Sequence, residues 1–183
     1  VAPGPANGFT LDVIDCLERY GDVIDWGMII LNPLEPWPGE LVLDAAQRSG
    51  VDLITRVVDY GGLFHGDLRP GGAMGERDHR AFRPAGWVER GTGLIERMRP
   101  IAERHGLTML QLACHWNLQH RPVECVAPTL IQESGPGAKP VEAKRAELAA
   151  VRGSVLSEDE VAELRAIGDN TGSMTLKGAA PDH

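Results

Sequence analysis

The segment over residues 106–140 constrains the fold of this chain more than any other, because it places a capped helix directly before a short apolar strand. Thr108 and Gln111 have the spacing of a capping box, in which each side chain accepts a hydrogen bond from the backbone amide of the other residue. The strand over residues 123–126 is β-branched and suits burial on both faces. A polar turn broken by glycine and proline follows. In parallel α/β barrels the loops after the last strands bind phosphate, so we predict an anion-binding loop here.

The same alternation of helix and strand occurs earlier in the chain. Residue types that begin or end helices mark the boundaries, with Thr10 as a cap, Pro38 in a first turn and Gly50 as a stop. In chain order they predict a helix over residues 10–20, a strand over 24–31, a helix over 38–50 and a strand over 52–58. Strands separated by single helices connect by right-handed crossovers, so the sequence predicts an α/β fold with a parallel sheet.

A glycine-rich excursion over residues 61–86 follows the second strand and leads into a predicted helix over 86–105. Long loops in compact domains are lids, binding loops or disordered segments, and we predict a lid-like loop. Polar loop residues are usually solvated. We expect this of His65, Asp78, His79 and Arg80. The aromatic residues are better candidates for the wall of a substrate pocket, and they are Phe64, Phe82 and Trp87.

The last third of the chain is predicted to be largely helical. The helix that Thr108 caps has an apolar face, formed by Leu110, Leu112, Ala113 and Trp116. A helix over residues 140–151 follows the third strand, and a second capping-box pattern, Ser157 with Glu160, opens a helix that ends near residue 167. The tail over 168–183 is polar, and we expect it to pack over the barrel or to fray.

Composition excludes several classes of protein. The chain has 26 acidic and 18 basic residues, and its net charge of -8 argues against nucleic acid or an anionic membrane as the main partner. No apolar run approaches the about 20 residues of a membrane span, and no signal-peptide pattern opens the chain. Three cysteines are too few for a disulfide framework and favour a reducing cytoplasm. Adjacent Cys114 and His115 point about 100 degrees apart on a helix, so no metal site is predicted.

A parallel sheet of this kind is either open and doubly wound or part of a closed barrel. No G-x-G-x-x-G turn follows an early strand, which disfavours the open dinucleotide-binding sheet. A closed eightfold barrel takes about 250 residues and this chain has 183, so we predict a piece of a barrel. A piece leaves two strand edges unpaired. We therefore expect a missing N-terminal half, a companion chain or a homo-oligomer to cover them.

A resemblance to a known family rests on three runs of sequence, LITRVVDYGGLFHG, DHRAFRPAGWVERG and RPIAERHGLTMLQLACHWNLQHRPVECVAP. They resemble the second half of an aldo-keto reductase, a (β/α)8 TIM-type barrel that transfers hydride from NADPH to the carbonyl group of an aldehyde or ketone. The resemblance covers nearly the whole chain. It implies that the fifth to eighth barrel strands are residues 1–4, 24–31, 52–58 and 123–128.

In that family the catalytic Asp, Tyr, Lys and His lie on the first four strands, so the resemblance implies no catalytic residue here and an inactive chain by itself. This half would hold the cofactor. Family members usually have a Ser-Asn pair at the nicotinamide. The resemblance implies Asn7 in its place, unless Ala2 and Pro3 occupy that position. Met28 stands where the family has a glutamine, and its thioether cannot donate the usual hydrogen bond. Arg56 stands in place of a stacking ring, and a planar guanidinium also stacks.

The phosphate of NADP(H) is implied to lie beyond the last strand, against residues that donate hydrogen bonds or carry positive charge. These are Thr129, Leu130, Gln132, Lys139, Lys144 and Arg145. Two other functions stay open at this point. The chain could be a non-catalytic barrel fragment that serves as a binding or assembly module, or part of a barrel with non-redox chemistry, because a fold does not fix a function.

Overall fold

A computed structural model describes residues 7–71, 78–134 and 137–178 and shows an α/β structure around one parallel sheet. The strands are β1 (Trp26–Ile30), β2 (Asp52–Arg56) and β3 (Val123–Ala127), in the order β1-β2-β3. Both pairings are parallel, with a shift of register after Leu53 in the second. The predicted fold class and strand direction are confirmed. The implied strand over residues 1–4 lies outside the described residues.

Every predicted helix is present in the described part of the chain. The helices are α1 (Thr10–Tyr20), α2 (Leu41–Ser49), α3 (Trp87–Arg104), α4 (Met109–Leu118), α5 (Val141–Ala149) and α6 (Glu158–Ile167). Two predicted starts are wrong. Thr10 is buried and is itself the first residue of α1, so it does not cap the helix. The N-cap position belongs to Phe9. Pro38 lies in the turn before α2, where its carbonyl oxygen accepts a hydrogen bond from the amide of Leu41.

Both predicted capping boxes form. The Thr108 hydroxyl oxygen accepts from the amide of Gln111 at 3.2 Å, and the Gln111 side chain accepts from the amide of Thr108 at 3.0 Å. Ser157 and Glu160 make the same pair of bonds at 3.2 and 3.0 Å. The amide of Ser157 and the ring of His105 together lower the pKa of Glu160 to about 2. Helices α4 and α6 therefore begin where local chemistry dictates.

Helix α4 lies at the centre of the packing. The side chains of its apolar face, Leu110, Leu112, Ala113 and Trp116, are all fully buried. The Trp116 indole nitrogen donates to the carbonyl oxygen of Val161 at 3.1 Å, which joins α4 to α6. Burying this face removes a large apolar area from water, so the helices on this side are held mainly by the hydrophobic effect.

The prediction that the third strand is buried on both faces is wrong. Val123 is buried, but Glu124, Cys125 and Ala127 of β3 are exposed. The reason is the position of β3 at the border of the sheet, where only β2 pairs with it. Within the part of the chain that the structure describes, nothing pairs with the outer edge of β1 either. Two open sheet edges are the expected result for a piece of a barrel.

The excursion after β2 and the C-terminal tail are packed where they are described. Leu63, Phe64 and His65 are buried in a 3-10 turn, and a second such turn spans His79–Phe82. Residues 72–77, in the middle of the predicted lid-like loop, lie outside the described residues. In the tail, the Asn170 side chain exchanges two hydrogen bonds with the backbone of Trp37. Up to residue 178 the tail thus packs against the body. None of the described helices is long and apolar enough to cross a membrane.

Candidate functional site

A pocket of about 520 Å³ opens at the carboxyl ends of the strands. This is the end of a parallel sheet at which α/β proteins place their ligands. Residues after each of the three strands contribute to the lining, together with the start and the tail of the described chain. The lining residues are Gly8, Ile30, Glu35, Arg56, Val57, Gly61, His79, Arg80, Phe82, Arg83, Thr129 and Met174.

The chain leaves β2 in an unusual backbone conformation. Val57, next to Arg56 in the pocket wall, has a φ of 57°, a left-handed value that is unfavourable for a β-branched residue. Its carbonyl oxygen accepts a hydrogen bond at 3.1 Å from the side chain of Asn32, which is fully buried just after β1. Tertiary contacts therefore hold a strained turn at the pocket, a situation that is common at functional sites.

A buried pair of side chains fixes the start of the loop after β3. The Asp59 carboxylate accepts from the amide of Thr129 at 2.9 Å, and the His65 Nε2 donates to the carbonyl oxygen of Thr129 at 2.9 Å. Both side chains are fully buried, and the His65 Nε2 lies 3.7 Å from the Asp59 Oδ2. Since both backbone polar groups of Thr129 are bound, its position in the pocket wall is set by residues of the preceding loop.

Arg80 joins the loop after β2 to the loop after β3. Its buried guanidinium donates to Asp78 at 2.7 Å, to Glu133 at 2.5 Å and to the carbonyl oxygen of Gly61 at 3.0 Å. The hydrogen bonds from Arg80 lower the pKa of Asp78 to about 2. Arg80 was expected to be solvated, as was His65, and both expectations are wrong because partners distant in sequence bury them.

Arg83 lies beside this network and is held by aromatic rings instead. Its guanidinium carbon is 4.3 Å from the centre of the Tyr60 ring, 4.9 Å from that of Trp87 and 5.8 Å from that of Phe82. Tyr60 and Trp87 are themselves packed edge to face, with ring centres 5.9 Å apart. Burial raises the pKa of Tyr60, although the charge of Arg83 opposes that effect. The sequence patterns did not single out Arg83 or Tyr60.

The three residues implied at the nicotinamide are placed differently from one another. Arg56 lines the pocket. Met28 is half-buried in the middle of β1 and shares a strand face with Ile30, which also lines the pocket. Asn7 begins a short 3-10 helix, and the next residue, Gly8, lines the pocket. Ala2 and Pro3 lie outside the described residues.

The residues implied at the phosphate separate into bound and accessible groups. The Lys144 side chain is fully buried, 2.8 Å from Asp67, and donates to the carbonyl oxygen of Ile131. This position corrects its expected role, because an enclosed and neutralised cation has no surface to offer a ligand. Lys139 pairs with Glu147 at 2.9 Å but is partly exposed. Arg145 is exposed on α5.

The uncharged residues of the same loop show a similar division. Thr129 is exposed and lines the pocket, while Leu130 is half-buried beside it. The Gln132 side chain accepts from the amide of Val141 at 3.1 Å and so occupies the start of α5. Its own amide donates to the carbonyl oxygen of Glu133 at 3.3 Å. Gln132 is exposed, yet its hydrogen bonds serve the loop itself.

The aromatic candidates for a substrate wall also differ in exposure. Phe82 is 78% exposed and lines the pocket. Phe64 is a core residue at 1% exposure, and its burial removes it from the pocket surface. Trp87 is 6% exposed and touches the site only through its stacking partners Tyr60 and Arg83. In the described ranges, no group of three His, Cys, Asp or Glu side chains is placed to hold a metal ion.

Comparison with known proteins gives one family. The model of the aldo/keto reductase family matches residues 12–169, which is most of the chain. No curated protein matches this chain. The match covers all three strands and the loops that follow them, while Gly8 and Met174 of the pocket lie outside it.

Two solved structures show the same fold. A glycerol dehydrogenase from Gluconobacter oxydans is 16% identical with a TM-score of 0.64, and the similarity covers 85% of this chain and 45% of that one. The apo form of an aldo-keto reductase from Bacillus halodurans is 20% identical with a TM-score of 0.61, covering 92% of this chain and 50% of that one. The chain thus spans about half the length of these structures.

Proposed function

The chain belongs to the aldo/keto reductase family, and from this premise we propose that it forms the cofactor-binding half of an NADP(H)-dependent reductase. Its reaction would convert a small aldehyde or ketone to the alcohol. The observation that carries the proposal is the pocket at the carboxyl ends of the strands, which brings together Arg56 at the end of β2, Phe82 of the loop after β2 and Thr129 of the loop after β3. Ligand sites of parallel α/β barrels lie at this end.

The proposed assignment of strands follows from the coverage of the relatives. The chain spans about half of each similar structure, and β1 and β3 each leave one edge without a partner among the described residues. We propose that β1, β2 and β3 are the sixth, seventh and eighth barrel strands. The catalytic acid and its neighbours would then lie in an N-terminal half or companion chain, and this chain by itself would be inactive. We propose a cytoplasmic location, in keeping with its free cysteines.

The residues around the pocket fit the nicotinamide end of such a cofactor. When bound, the reduced nicotinamide supplies a hydride to the carbonyl carbon, while a proton reaches the carbonyl oxygen. The task of this chain would be to orient the ring, since hydride transfer needs close and defined contact. Arg56 offers a planar group for stacking, and Thr129 is exposed on a backbone that Asp59 and His65 hold in place. Asn7 and Met28 remain proposed contacts.

The phosphate end fits less well. Of the three cations implied there, Lys144 is neutralised by Asp67 and Lys139 is paired with Glu147. Arg145 is exposed, and no carboxylate of the described residues lies within ion-pair distance of it. We therefore propose Arg145 and, after release from Glu147, Lys139 as the groups that would meet the 2'-phosphate, with Thr129, Leu130 and Gln132 supplying the nearby loop.

Titration with NADPH and NADH tests this proposal. Tryptophan fluorescence is recorded at moderate salt for the chain and for the full-length protein of which we propose it is one half. We expect saturable quenching by NADPH in the full-length protein. Arg145→Gln should weaken NADPH binding about tenfold and leave NADH binding unchanged, because only NADPH carries the 2'-phosphate. Flat curves with both dinucleotides, from a sample that circular dichroism shows to be folded, would reject the function.

The unpaired sheet edges, taken by themselves, favour a second function, that of a non-catalytic assembly module. The exposed outer side of β3, with Glu124 and Cys125, suits pairing with another polypeptide whether or not that assembly is catalytic. A non-catalytic assembly module predicts that the chain associates, as measured by size exclusion, while neither dinucleotide binds to any assembly. Cofactor binding to the assembled protein decides against this alternative.

A further inference from the structure

We propose that Arg83 recognises a carboxylate carried by the carbonyl substrate, so that the substrate class is an aldehyde or ketone with an apolar body and an acidic group. The inference rests on the proposed function and adds to it, because neither the family match nor the strand topology says what the substrate carries. Four observations lead to it. They are the lack of an ion-pair partner for Arg83 among the described residues, its contacts with aromatic rings, the lining of the pocket, and the open space beside Gly61.

The charge of Arg83 is not neutralised by the residues that the structure describes. It belongs to none of their ion pairs, and its buried Nε has no hydrogen-bond partner among them. Its neighbour Arg80 differs, because Asp78 and Glu133 both bind that guanidinium. An uncompensated cation with an unsatisfied donor is a site where an anionic ligand gains the most.

Aromatic stacking fixes the orientation of Arg83. Tyr60 and Trp87 lie against the guanidinium at 4.3 and 4.9 Å from its carbon. The two rings together restrict the motion of the guanidinium. A guanidinium in a fixed orientation loses little conformational freedom when it binds a carboxylate with two parallel hydrogen bonds. The stack therefore prepares Arg83 for a planar anion.

The pocket around Arg83 combines positive charge with apolar surface. Arg56 and Arg80 share the lining, although Asp78 and Glu133 neutralise Arg80, and Glu35 is the one carboxylate among the described lining residues. Glu35 and Arg56 each also interact with another residue. Ile30, Phe82 and Met174 supply apolar wall. A ligand that suits this lining has an apolar body for the wall and an anionic end for the half-exposed Arg83.

Gly61 keeps the space beside Arg83 open. A side chain at this position would begin 3.5 Å from the Arg83 Nε and 3.6 Å from the Trp87 ring. Gly61 also has a φ of 68°, which disfavours other residues. The backbone geometry and the contact distances together preserve room at the guanidinium. The pocket volume of about 520 Å³ leaves room for a substituted benzaldehyde beside the nicotinamide ring.

A matched pair of probes tests the proposal. 4-Carboxybenzaldehyde carries an anion, and methyl 4-formylbenzoate is its neutral ester of nearly the same shape. Calorimetric titration of the full-length protein saturated with NADP⁺, which cannot reduce either aldehyde, should give an affinity at least about tenfold higher for the acid than for the ester. Arg83→Gln should reduce that preference to about onefold, with the affinity for the ester unchanged within about twofold. Arg83→Lys should retain part of the preference, because it keeps the charge and loses the planar fork.

The control variant is Arg97→Gln, which removes an exposed arginine of α3 and should leave the preference intact. Equal affinities of the wild type for acid and ester would overturn the proposal. So would an equal loss of both affinities in Arg83→Gln, which would indicate a structural role, or a loss of NADPH affinity alone, which would assign Arg83 to a cofactor phosphate. If neither dinucleotide binds but the acid is still preferred in their absence, the reductase function fails and the carboxylate site stands.

Discussion

The helical layer and the loop layer of this molecule are stabilised in different ways. In the helical layer, α4 and α6 begin at capping boxes, and Trp116 and its apolar neighbours pack between them. In the loop layer, defined as residues 57–67, 78–83 and 128–139, buried polar groups bind partners far away in the sequence. Asp59 and Thr129 are 70 residues apart, and Arg80 and Glu133 are 53 apart.

This difference shows where the protein is sensitive to change. Apolar contacts are many, and each contributes a small part of the stability. A buried charge has one or two partners, and losing one leaves an uncompensated group in a poorly solvated site. The pocket lies in the loop layer, so the groups that shape it are also those whose single substitution costs most.

The ion pair of Lys144 and Asp67 is the strongest test. Both side chains are almost completely buried, and burial alone would raise the pKa of Asp67, whereas its hydrogen bonds from Lys144 and Lys139 lower it. Lys144→Met should reduce the free energy of unfolding by about 3–5 kcal/mol, because Asp67 is left buried without its partner. Chemical denaturation measures the loss.

Arg145 provides the control for that experiment. It is the next residue on α5 but is exposed, so Arg145→Met should change the stability by less than about 0.5 kcal/mol. Equal effects of the two substitutions would show that the loop layer does not depend on the buried pair. The two layers would then not differ in how they are stabilised.

Arg80 is expected to give the next largest effect. Arg80→Met removes the group that binds Asp78, Glu133 and the carbonyl oxygen of Gly61, and should cost about 2–4 kcal/mol. The carboxylates are partly solvated, which keeps the cost below that at Lys144. Arg99→Met breaks an exposed pair with Glu96 and should cost less than about 1 kcal/mol. Similar thermal midpoints for the two variants would contradict the prediction.

The caps of the helical layer should contribute less individually. Thr108→Ala and Ser157→Ala each remove one hydroxyl acceptor and should each cost about 1 kcal/mol. Thr108→Ser keeps an acceptor and should be nearly neutral. Urea denaturation of the single and double variants measures these values. A cap variant that destabilises the protein as much as Lys144→Met would reverse the order of the two layers.

The smallest predicted effect is a pH dependence in the loop layer. The folded-state pKa of Asp78 is lowered to about 2 by Arg80, below its ordinary value of 3.8. Its contribution is therefore complete above about pH 4 and is lost as the pH falls through 2. The stability difference between the wild type and Asp78→Asn should be about 1 kcal/mol near pH 6 and should shrink toward zero near pH 2. A difference that does not change with pH would refute this account.

Apart from the helix starts at Thr10 and Pro38, the wrong predictions concern the loop layer, its ion pair with Lys144 of α5, and the sheet border. His65 and Arg80 were expected in solvent, yet their partners lie 64 and 53 residues away and bury them. Lys144 and Arg145 carry the same charge on neighbouring positions, and no local pattern distinguishes them. The exposure of β3 likewise depends on whether another strand covers its outer edge, which the strand's own residues do not specify.

The chain's own residues were enough to determine which segments form helices, that its strands run parallel, and which family it belongs to. Capping, side-chain periodicity and helix stops act over three or four residues, so they can be recognised without knowing the fold. Only the tertiary structure decided which charges are neutralised and which face the pocket, as with Lys144 on Asp67 and Arg83 on its aromatic rings. The strength of an ionic contact depends on burial and on the distance to its partner, and both are set when remote segments come together.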